Sequence, residues 1–545
     1  MTSSRLSIVP SRGRVCRVFA FHNAVRLGAA VIVLWTAAVH GGQLTPAEER
    51  GKQLYQSGTS PAGSEVAALL GRDGAEVSAS LVPCVNCHRS DGRGRAEGGI
   101  VPSDLRWAAL TTPYGVVHPN GRHHPPYTQE FLERAITEGL DPSGNRLDWV
   151  MPRYRMRRGD LADLTAYLKK LGTVPDPGVS EAEIRIGVVL PPVSPHAALG
   201  QDVRTVLEAY ADDMNGRGGV YGRRITLRFS HAPDFGRDLI ESTRRFITSE
   251  RLFALLATFV GRPDDGLPAL ARELGIPVIV PVAEHVESGS PVNPYVFYLY
   301  SGVRGQALAL ARFADRRAGA VKRSFVIVAP PDAGSQDIAR EVMTDLARSG
   351  WTEVHRLDFP DQAADRGTLL ERLRELADRG LLLLLVQPRE ANVLLEEMSQ
   401  VDWTADTLIP GALAPAGLVT ASRKAGGRVF VAYPTLPRLA AEARTSAYRR
   451  LDSARRLPAT NRSAQLSVLT CAELLLEGLR RAGRGTTTRE RLIEVFVQFD
   501  DVDTGMSPPV TFGPNRRVGA AGAYIAQVDF ERQTLVPIGE WIEVR

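Results

Sequence analysis

From residue 184 onward, short apolar runs rich in β-branched residues alternate with longer amphipathic stretches. A strand that is apolar throughout is covered on both faces, so these runs predict parallel sheets with helices on either side. The runs occupy residues 184–190, 225–229, 252–259, 277–282, 324–329, 381–387, 408–413 and 429–433. Because residues 183–545 exceed the usual size of one core, we expect two α/β lobes. Glycine-rich turns and alternating residues in 510–544 predict a late β-hairpin.

The preceding segment, residues 43–171, has few strand signals and predicts an all-α domain. Apolar-periodic stretches lie near its two ends, at residues 48–55 and 161–171. Leucines in the second stretch share one helical face. They are Leu161, Leu164, Leu168 and Leu171. Residues 172–182 combine proline, glycine and polar residues without a period, and we expect them to be an interdomain linker.

Residues 1–42 have the pattern of a secretory signal peptide, which predicts export to the periplasm. They hold five arginines, no acidic residue, and an apolar stretch at residues 27–39. That stretch is shorter than the roughly 18 to 20 residues that cross a bilayer, so we expect cleavage, with an uncleaved anchor as the alternative. The leader accounts for the formal net charge of +5. The mature chain is therefore expected to have no nucleic-acid partner and no membrane span.

The motif Cys84-Val-Asn-Cys87-His88 predicts the covalent attachment of one haem c. The two thiols reach the two vinyl groups of the haem, and His88 faces the iron as an axial ligand. A thioredoxin-like redox pair would not need the histidine, and a zinc site would need a second pair of ligands. The remaining cysteines are Cys16 in the leader and Cys471, which we expect to be a buried thiol.

The second axial ligand is predicted to be Met151, which Pro152 follows. A thioether paired with histidine favours ferrous iron, and proline fixes the backbone beside it. The alternatives are Met156 or a histidine, which would give bis-histidine ligation. The histidine candidates are His118, His123 and His124.

Four arginines follow Met151 closely. They are Arg153, Arg155, Arg157 and Arg158. Three interpretations stay open for them: pairing with haem propionates, a basic rim for an acidic redox partner, or a solvated loop.

These features together resemble a class I cytochrome c domain. The residues that carry the resemblance are Gly51-Lys-Gln-Leu-Tyr55, the Cys84 to His88 motif, Asp91-Gly-Arg-Gly94, Met151-Pro152 and the stretch 161–171. The resemblance implies that the first and last helices cross and that one haem edge is open for electron exchange. This chain departs from the pattern by a long insertion between Tyr55 and Cys84.

Residues 183–545 resemble type I periplasmic binding proteins of the branched-chain amino acid kind. The segments that carry the resemblance are Ile184-Arg-Ile-Gly-Val-Val-Leu190, Asn215-Gly-Arg-Gly-Gly-Val-Tyr-Gly222, Gly275-Ile-Pro-Val-Ile-Val280 and Asn293-Pro-Tyr-Val-Phe297. The family folds as two α/β lobes that close on a small ligand. The resemblance implies a cleft lined by Phe259, Gly261, Ala283, Glu284, Tyr300 and Asp332. Amino-acid binders often carry small hydroxyl residues after the third strand, where this chain has Val260-Gly-Arg-Pro263, so an amino-acid ligand is disfavoured.

We therefore expect a multidomain periplasmic electron carrier. It would pass one electron between a dehydrogenase, such as a quinoprotein, and a respiratory acceptor, while the two lobes dock a partner or sense a small ligand. The alternative is the solute-binding component of an ABC importer with an appended haem domain. A haem enzyme such as a peroxidase is disfavoured because methionine ligation leaves the iron no open position. The sequence of residues 183–545 contains no hydrolase or phosphate-binding motif.

Overall fold

The computed structural model describes most of the chain after the predicted leader. The described residues are 44–94, 99–118, 120–232, 237–258, 266–280, 283–286, 292–319, 322–360, 362, 365–377, 380–401, 403–415, 417–420, 428–435, 446–484 and 487–544. The predicted signal peptide, Phe259 and Gly261 lie outside these ranges. Within them, no helix combines the length and the apolar character needed to cross a membrane.

The N-terminal region, residues 44–171, combines short helices with two small sheets. Its helices are α1 Pro46–Ser57, α2 Val85–His88, α3 Trp107–Leu110, α4 Gln129–Thr137 and α5 Arg158–Leu168. Its strands are β1 Ala67–Leu70, β2 Ala75–Ser78, β3 Val116–Val117, β4 His123–His124 and β5 Arg153–Arg155. Strands β2, β1 and β5 form one antiparallel sheet, and β3 pairs with β4.

The prediction of an all-α domain was therefore wrong, both for the insertion between Tyr55 and Cys84 and for β3, β4 and β5 beyond it. That insertion folds into the β1–β2 hairpin. Gly71 and Gly74 close its turn with φ of +69° each, a conformation that glycine adopts without steric cost.

Helices α1 and α5 cross in direct backbone contact. A capping box of Thr45 and Glu48 begins α1. At the crossing stands Gly51, where a Cβ atom would lie 2.0 Å from the carbonyl oxygen of Asp163. The rings of Tyr55 and Tyr167 pack across the same contact, 5.6 Å apart. The crossing closes one side of the region's apolar core.

The first lobe is built on a six-stranded parallel sheet in the order β16-β10-β9-β8-β6-β7. Its strands are β6 Glu183–Leu190, β7 Arg224–His231, β8 Ala254–Leu256, β9 Val278–Val280, β10 Val296–Tyr300 and β16 Val518–Ala520. Its helices are α6 Val193–Gly216, α7 Arg237–Ser249, α8 Leu267–Leu274, α13 Ser446–Arg455, α14 Arg462–Ala482 and α15 Arg489–Phe496. Cys471 is fully buried on α14, as predicted.

The second lobe is built on a seven-stranded sheet in the order β12-β11-β13-β14-β15-β17-β18. Its strands are β11 Phe325–Ala329, β12 Val354–Asp358, β13 Leu381–Leu384, β14 Asp406–Pro410, β15 Val429–Tyr433, β17 Gly522–Asp529 and β18 Thr534–Glu543. Its helices are α9 Gly302–Ala318, α10 Ala333–Arg348, α11 Arg366–Ala377 and α12 Pro388–Ser399. The pair β17–β18 is antiparallel and forms the predicted late hairpin. The two α/β lobes expected from the apolar runs are thus present.

A cluster of charged residues, of which Asp176 and Arg489 are buried, joins the N-terminal region to the first lobe. Lys52 on α1 contacts Asp176 at 2.9 Å and Glu490 at 3.6 Å. The backbone N–H of Arg489 donates to Asp176 at 2.6 Å. The Arg489 guanidinium donates to the carbonyl oxygens of Leu252, Phe253 and Leu274, inside the lobe. Helix α15 is therefore tied to both parts of the molecule.

Candidate functional site

The Cys84 to His88 motif forms the short helix α2 beside the N-terminal core. His88 is buried, and its Nδ1 lies 2.9 Å from the carbonyl oxygen of Ser103. Because a carbonyl only accepts, Nδ1 carries the proton in the neutral ring, and Nε2 keeps its lone pair. Burial lowers the pKa of His88, which favours this neutral form. The ring is thus oriented as metal-bound histidines are, with one nitrogen held by the protein and the other available.

The backbone turns sharply immediately after His88. Arg89 adopts φ 64° and ψ 169°, a combination that residues other than glycine rarely take. The Tyr55 hydroxyl holds this turn by donating to the Arg89 carbonyl at 2.6 Å. Strain of this kind concentrates at sites where geometry serves a function.

Cys84 does not have the properties of a reactive redox thiol. Burial raises the pKa of its thiol to about 11. Catalytic cysteines have lowered pKa values instead, since the thiolate is the nucleophile. Among the described residues no three His, Cys, Asp or Glu side chains converge as a metal site, so a zinc centre lacks further ligands. Among the described residues, the alternatives of a reactive redox pair and a zinc centre thus find no support.

Met151 packs into the same apolar cluster as Cys84. Met156 also borders this cluster. The histidine rivals are differently engaged: Nε2 of His124 contacts Nε2 of His118 at 3.1 Å, and Nδ1 of His124 contacts the Pro125 carbonyl at 2.8 Å. His123 is exposed on β4. Cys84, Met151 and Met156 thus border one apolar cluster, whereas both ring nitrogens of His124 have other contacts.

The four arginines after Met151 separate into distinct environments. Arg153 donates to backbone carbonyls of the Met151 loop. Arg155 pairs with exposed Glu76 at 2.9 Å. Arg157 and Arg158 are exposed at the start of α5.

A second candidate site lies where the chain passes between the lobes. Gly302 begins α9 with φ +60°, and a Cβ there would lie 2.4 Å from the Glu284 carbonyl oxygen. That oxygen accepts from the Val303 N–H at 2.8 Å. Ser301 accepts from the Gly522 N–H at 3.2 Å, which joins two passages between the lobes. The predicted cleft residues Ala283 and Glu284 therefore lie beside this junction.

The other described cleft candidates have structural tasks. Tyr300 is 2% exposed and packs in the core of the first lobe. Asp332 is the N-cap of α10 in the second lobe, where its side chain accepts from the Ser335 N–H at 3.0 Å.

Thr258 lies next to the end of β8 and was not among the predicted cleft residues. Strand β8 ends at Leu256 because Ala257 takes a left-handed conformation with φ +53°. Thr258 is 3% exposed, and its hydroxyl has no hydrogen-bond partner. Since β8 is the third strand of this lobe, a small hydroxyl residue does follow the third strand, as it often does in amino-acid binders. The periodicity of the sequence does not show that β8 ends early, and for this reason Thr258 was not predicted.

Residues 183–533 match the family model described as periplasmic binding protein. The chain belongs to this family. Periplasmic binding proteins bind ligands without catalysing a reaction, so family membership assigns residues 183–533 a binding role and not an enzymatic one. None of the curated proteins compared with the sequence matches it.

Solved structures of the family share the fold of the two lobes. A branched-chain amino acid ABC transporter protein from Thermus thermophilus, with bound valine, is 16% identical with a TM-score of 0.51, over 67% of this chain and 97% of that one. A substrate-binding protein from Desulfitobacterium hafniense in complex with Leu is 16% identical with a TM-score of 0.54, over 65% and 100%. A solute-binding protein from R. palustris in complex with benzoate is 17% identical with a TM-score of 0.50, over 67% and 98%.

Proposed function

We propose that this protein is the periplasmic solute-binding component of an ABC importer and carries one covalent haem c on its N-terminal region. Family membership and the two-lobed architecture support the binding role. The orientation of His88 carries the haem proposal, because the Ser103 carbonyl holds Nδ1 and leaves Nε2 available to iron.

The residues of the N-terminal region fit a haem in chemical type. Cys84 and Cys87 would form the thioether bonds, and His88 and Met151 would be the axial ligands. A bound haem with this ligand pair supplies reversible one-electron transfer. The apolar cluster around Cys84 and Met151 would exclude water from the ring.

The solute is proposed to be a small organic carboxylate with an apolar body. Valine, leucine and benzoate, bound by the structurally similar proteins, share that chemistry. Thr258 supports the proposal, since a buried hydroxyl without a partner is costly unless a ligand satisfies it. The strained Ala257 places that hydroxyl at a strand end, where ligands of α/β folds bind.

An electron carrier is the second candidate function. The exposed large apolar side chains of the described residues favour it, because most of them lie in the N-terminal region. Leu81 is three positions before Cys84 in the chain, and Trp149 is two positions before Met151. A redox protein such as a quinoprotein dehydrogenase or a respiratory acceptor would dock there.

One experiment tests both parts of the proposal. The full chain and its Cys84→Ser/Cys87→Ser variant are produced in a host that matures c-type cytochromes. We expect covalent haem in the wild type and none in the variant, measured by haem staining after denaturation. Leucine or benzoate should raise the melting temperature of both proteins, because a ligand that binds only the folded state stabilises it by mass action.

Cys471→Ser is the matched control and should keep its haem. A colourless wild type contradicts the haem proposal. Unchanged melting temperatures across a panel of small carboxylates contradict the solute proposal.

A further inference from the structure

Arg153 turns its guanidinium into the loop that carries Met151. Its Nη2 donates to the carbonyl oxygen of Leu147 at 3.0 Å, and its Nη1 donates to the carbonyl oxygen of Met151. Both nitrogens also lie 3.4 Å from the carbonyl oxygen of Asp148. Three carbonyl groups of one loop therefore converge on one planar cation, whose fork geometry suits such multiple contacts.

The residues around Arg153 leave space for its guanidinium group and hold it in place. At Gly139, with φ +70°, a Cβ atom would lie 1.7 Å from Nε of Arg153. The Gly139 carbonyl accepts from the Leu147 N–H at 2.8 Å, which closes the loop at its start. Arg153 itself stands on β5, opposite Leu69 of β1. The loop is thus attached to a strand of a sheet rather than to another loop.

The next residue ties the same strand to the cysteine motif. Tyr154 is buried, and its hydroxyl donates to the Val82 carbonyl at 2.6 Å, two residues before Cys84. Strand β5 therefore fixes the Met151 loop on one side and the approach to Cys84 on the other. Arg155 differs, since it pairs with Glu76 and both side chains are largely exposed.

We propose that Arg153 is a positioning residue that holds the Met151 thioether in place as the second axial ligand of the haem iron. This inference rests on the proposed haem. A neutral thioether is a weak ligand, so the loop must keep it close to the metal. Charge-assisted hydrogen bonds to three carbonyls lower the population of loop conformations in which Met151 has moved away.

Imidazole binding to the ferric full-length protein measures that population. Imidazole must displace Met151, so its apparent affinity is the intrinsic affinity multiplied by the fraction of protein with an open position. We expect Arg153→Lys and Arg153→Gln to bind imidazole at least about tenfold more tightly than the wild type, since neither side chain can reproduce the forked contacts of the guanidinium with three carbonyl groups. Arg155→Gln is the matched control and should bind as the wild type does. Met151→Ala sets the upper limit.

The outcomes separate this inference from the function on which it rests. Equal imidazole affinity of the wild type and both Arg153 variants, with covalent haem present and the wild type well below Met151→Ala, overturns the role of Arg153 alone. Equal affinity of the wild type and Met151→Ala would mean that Met151 is not a ligand, and the proposed positioning role of Arg153 would then also be wrong. A wild type without covalent haem overturns the proposed haem function. Arg153→Lys keeps the positive charge and the aliphatic part of the side chain, so its imidazole affinity decides the question if Arg153→Gln does not fold.

Discussion

Asp141 is a fully buried carboxylate in the N-terminal region, and Arg122 is its cationic partner at 2.9 Å. The backbone N–H groups of Ser143 and Asn145 each donate to the carboxylate at 2.9 Å. Burial alone would raise the pKa of Asp141, but the hydrogen bonds from Arg122 and Asn145 outweigh it and lower the pKa. Because the folded pKa is lowered, the carboxylate stabilises the fold above its unfolded pKa of about 3.9, and this stabilisation is lost as the pH falls below that value.

Arg122→Leu should therefore lower the local stability of this region by about 3–5 kcal/mol at neutral pH, since it leaves a buried charge unpaired. Amide hydrogen exchange of peptides covering residues 129–147 measures this local stability. The double variant Arg122→Leu/Asp141→Asn should recover part of the loss and should lose the acid sensitivity. Equal exchange in the wild type and Arg122→Leu would mean that the pair is not a local support.

Sequence spacing identified the residues of the cysteine motif but not their hydrogen-bond partners. Ser103 is fifteen positions beyond His88, and only the folded loop brings its carbonyl to the imidazole. Thr258 was not predicted as a site residue because the left-handed Ala257 ends β8 before the apolar run ends. Partners and strand ends of this kind depend on backbone conformation, which residue type alone does not determine.

The close packing of helices α1 and α5 at their crossing depends on Gly51. A Cβ atom there would lie 2.0 Å from the Asp163 oxygen and 2.8 Å from the Tyr167 Cβ. Gly51→Ala should destabilise the N-terminal region by about 1–3 kcal/mol, because the helices must separate to admit the methyl group. Proteolysis rates in sub-denaturing urea, which follow the population of the opened form, measure the effect.

Gly159 provides the matched control for Gly51. It lies in α5, and no atom comes within 4 Å of a Cβ placed there. Gly159→Ala should stabilise the region by about 0.4–1 kcal/mol, through the lower entropy of the unfolded chain. If both alanines slowed proteolysis, the crossing would not be close-packed.

Apolar runs identified most of the central strands, since these strands are covered on both faces, but they missed β10, which is buried throughout and lies between β16 and β9. Strand β12 was missed because it lies at a sheet edge, where residues of Val354–Asp358 alternate between half-buried and exposed. The β1–β2 hairpin was missed although Gly71 and Gly74 mark its turn, since its second strand is mostly exposed and has no apolar run. The periodicity of a sequence reports burial, and short or exposed strands carry little of that signal.

The N-terminal region and the first lobe were predicted as separate units, but the contact between them was not predicted. Lys52 and Glu490 are far apart in the chain, and no local pattern links them. Gln56 donates to Glu490 at 2.5 Å, and Ser90, two residues after His88, donates to Glu494 at 3.2 Å. Helix α15 thus contacts both α1 and the end of the cysteine motif, so the first lobe and the N-terminal region meet through charged and polar groups.

Lys52→Met tests whether this contact makes the two parts one cooperative unit. The variant removes the lysine contact of buried Asp176 and of half-buried Glu490, which should cost about 1.5–3 kcal/mol because a hydrogen bond to a buried charged group is lost. Calorimetry of the full chain should then resolve the N-terminal region as an earlier transition, separate from the first lobe. Lys52→Met/Glu490→Gln should restore part of the loss, since one buried charge is removed. Lys170→Met, at an exposed lysine, should change stability by no more than about 0.5 kcal/mol. A Lys52→Met melting profile that matches the wild type would mean that the two parts are held together by other contacts.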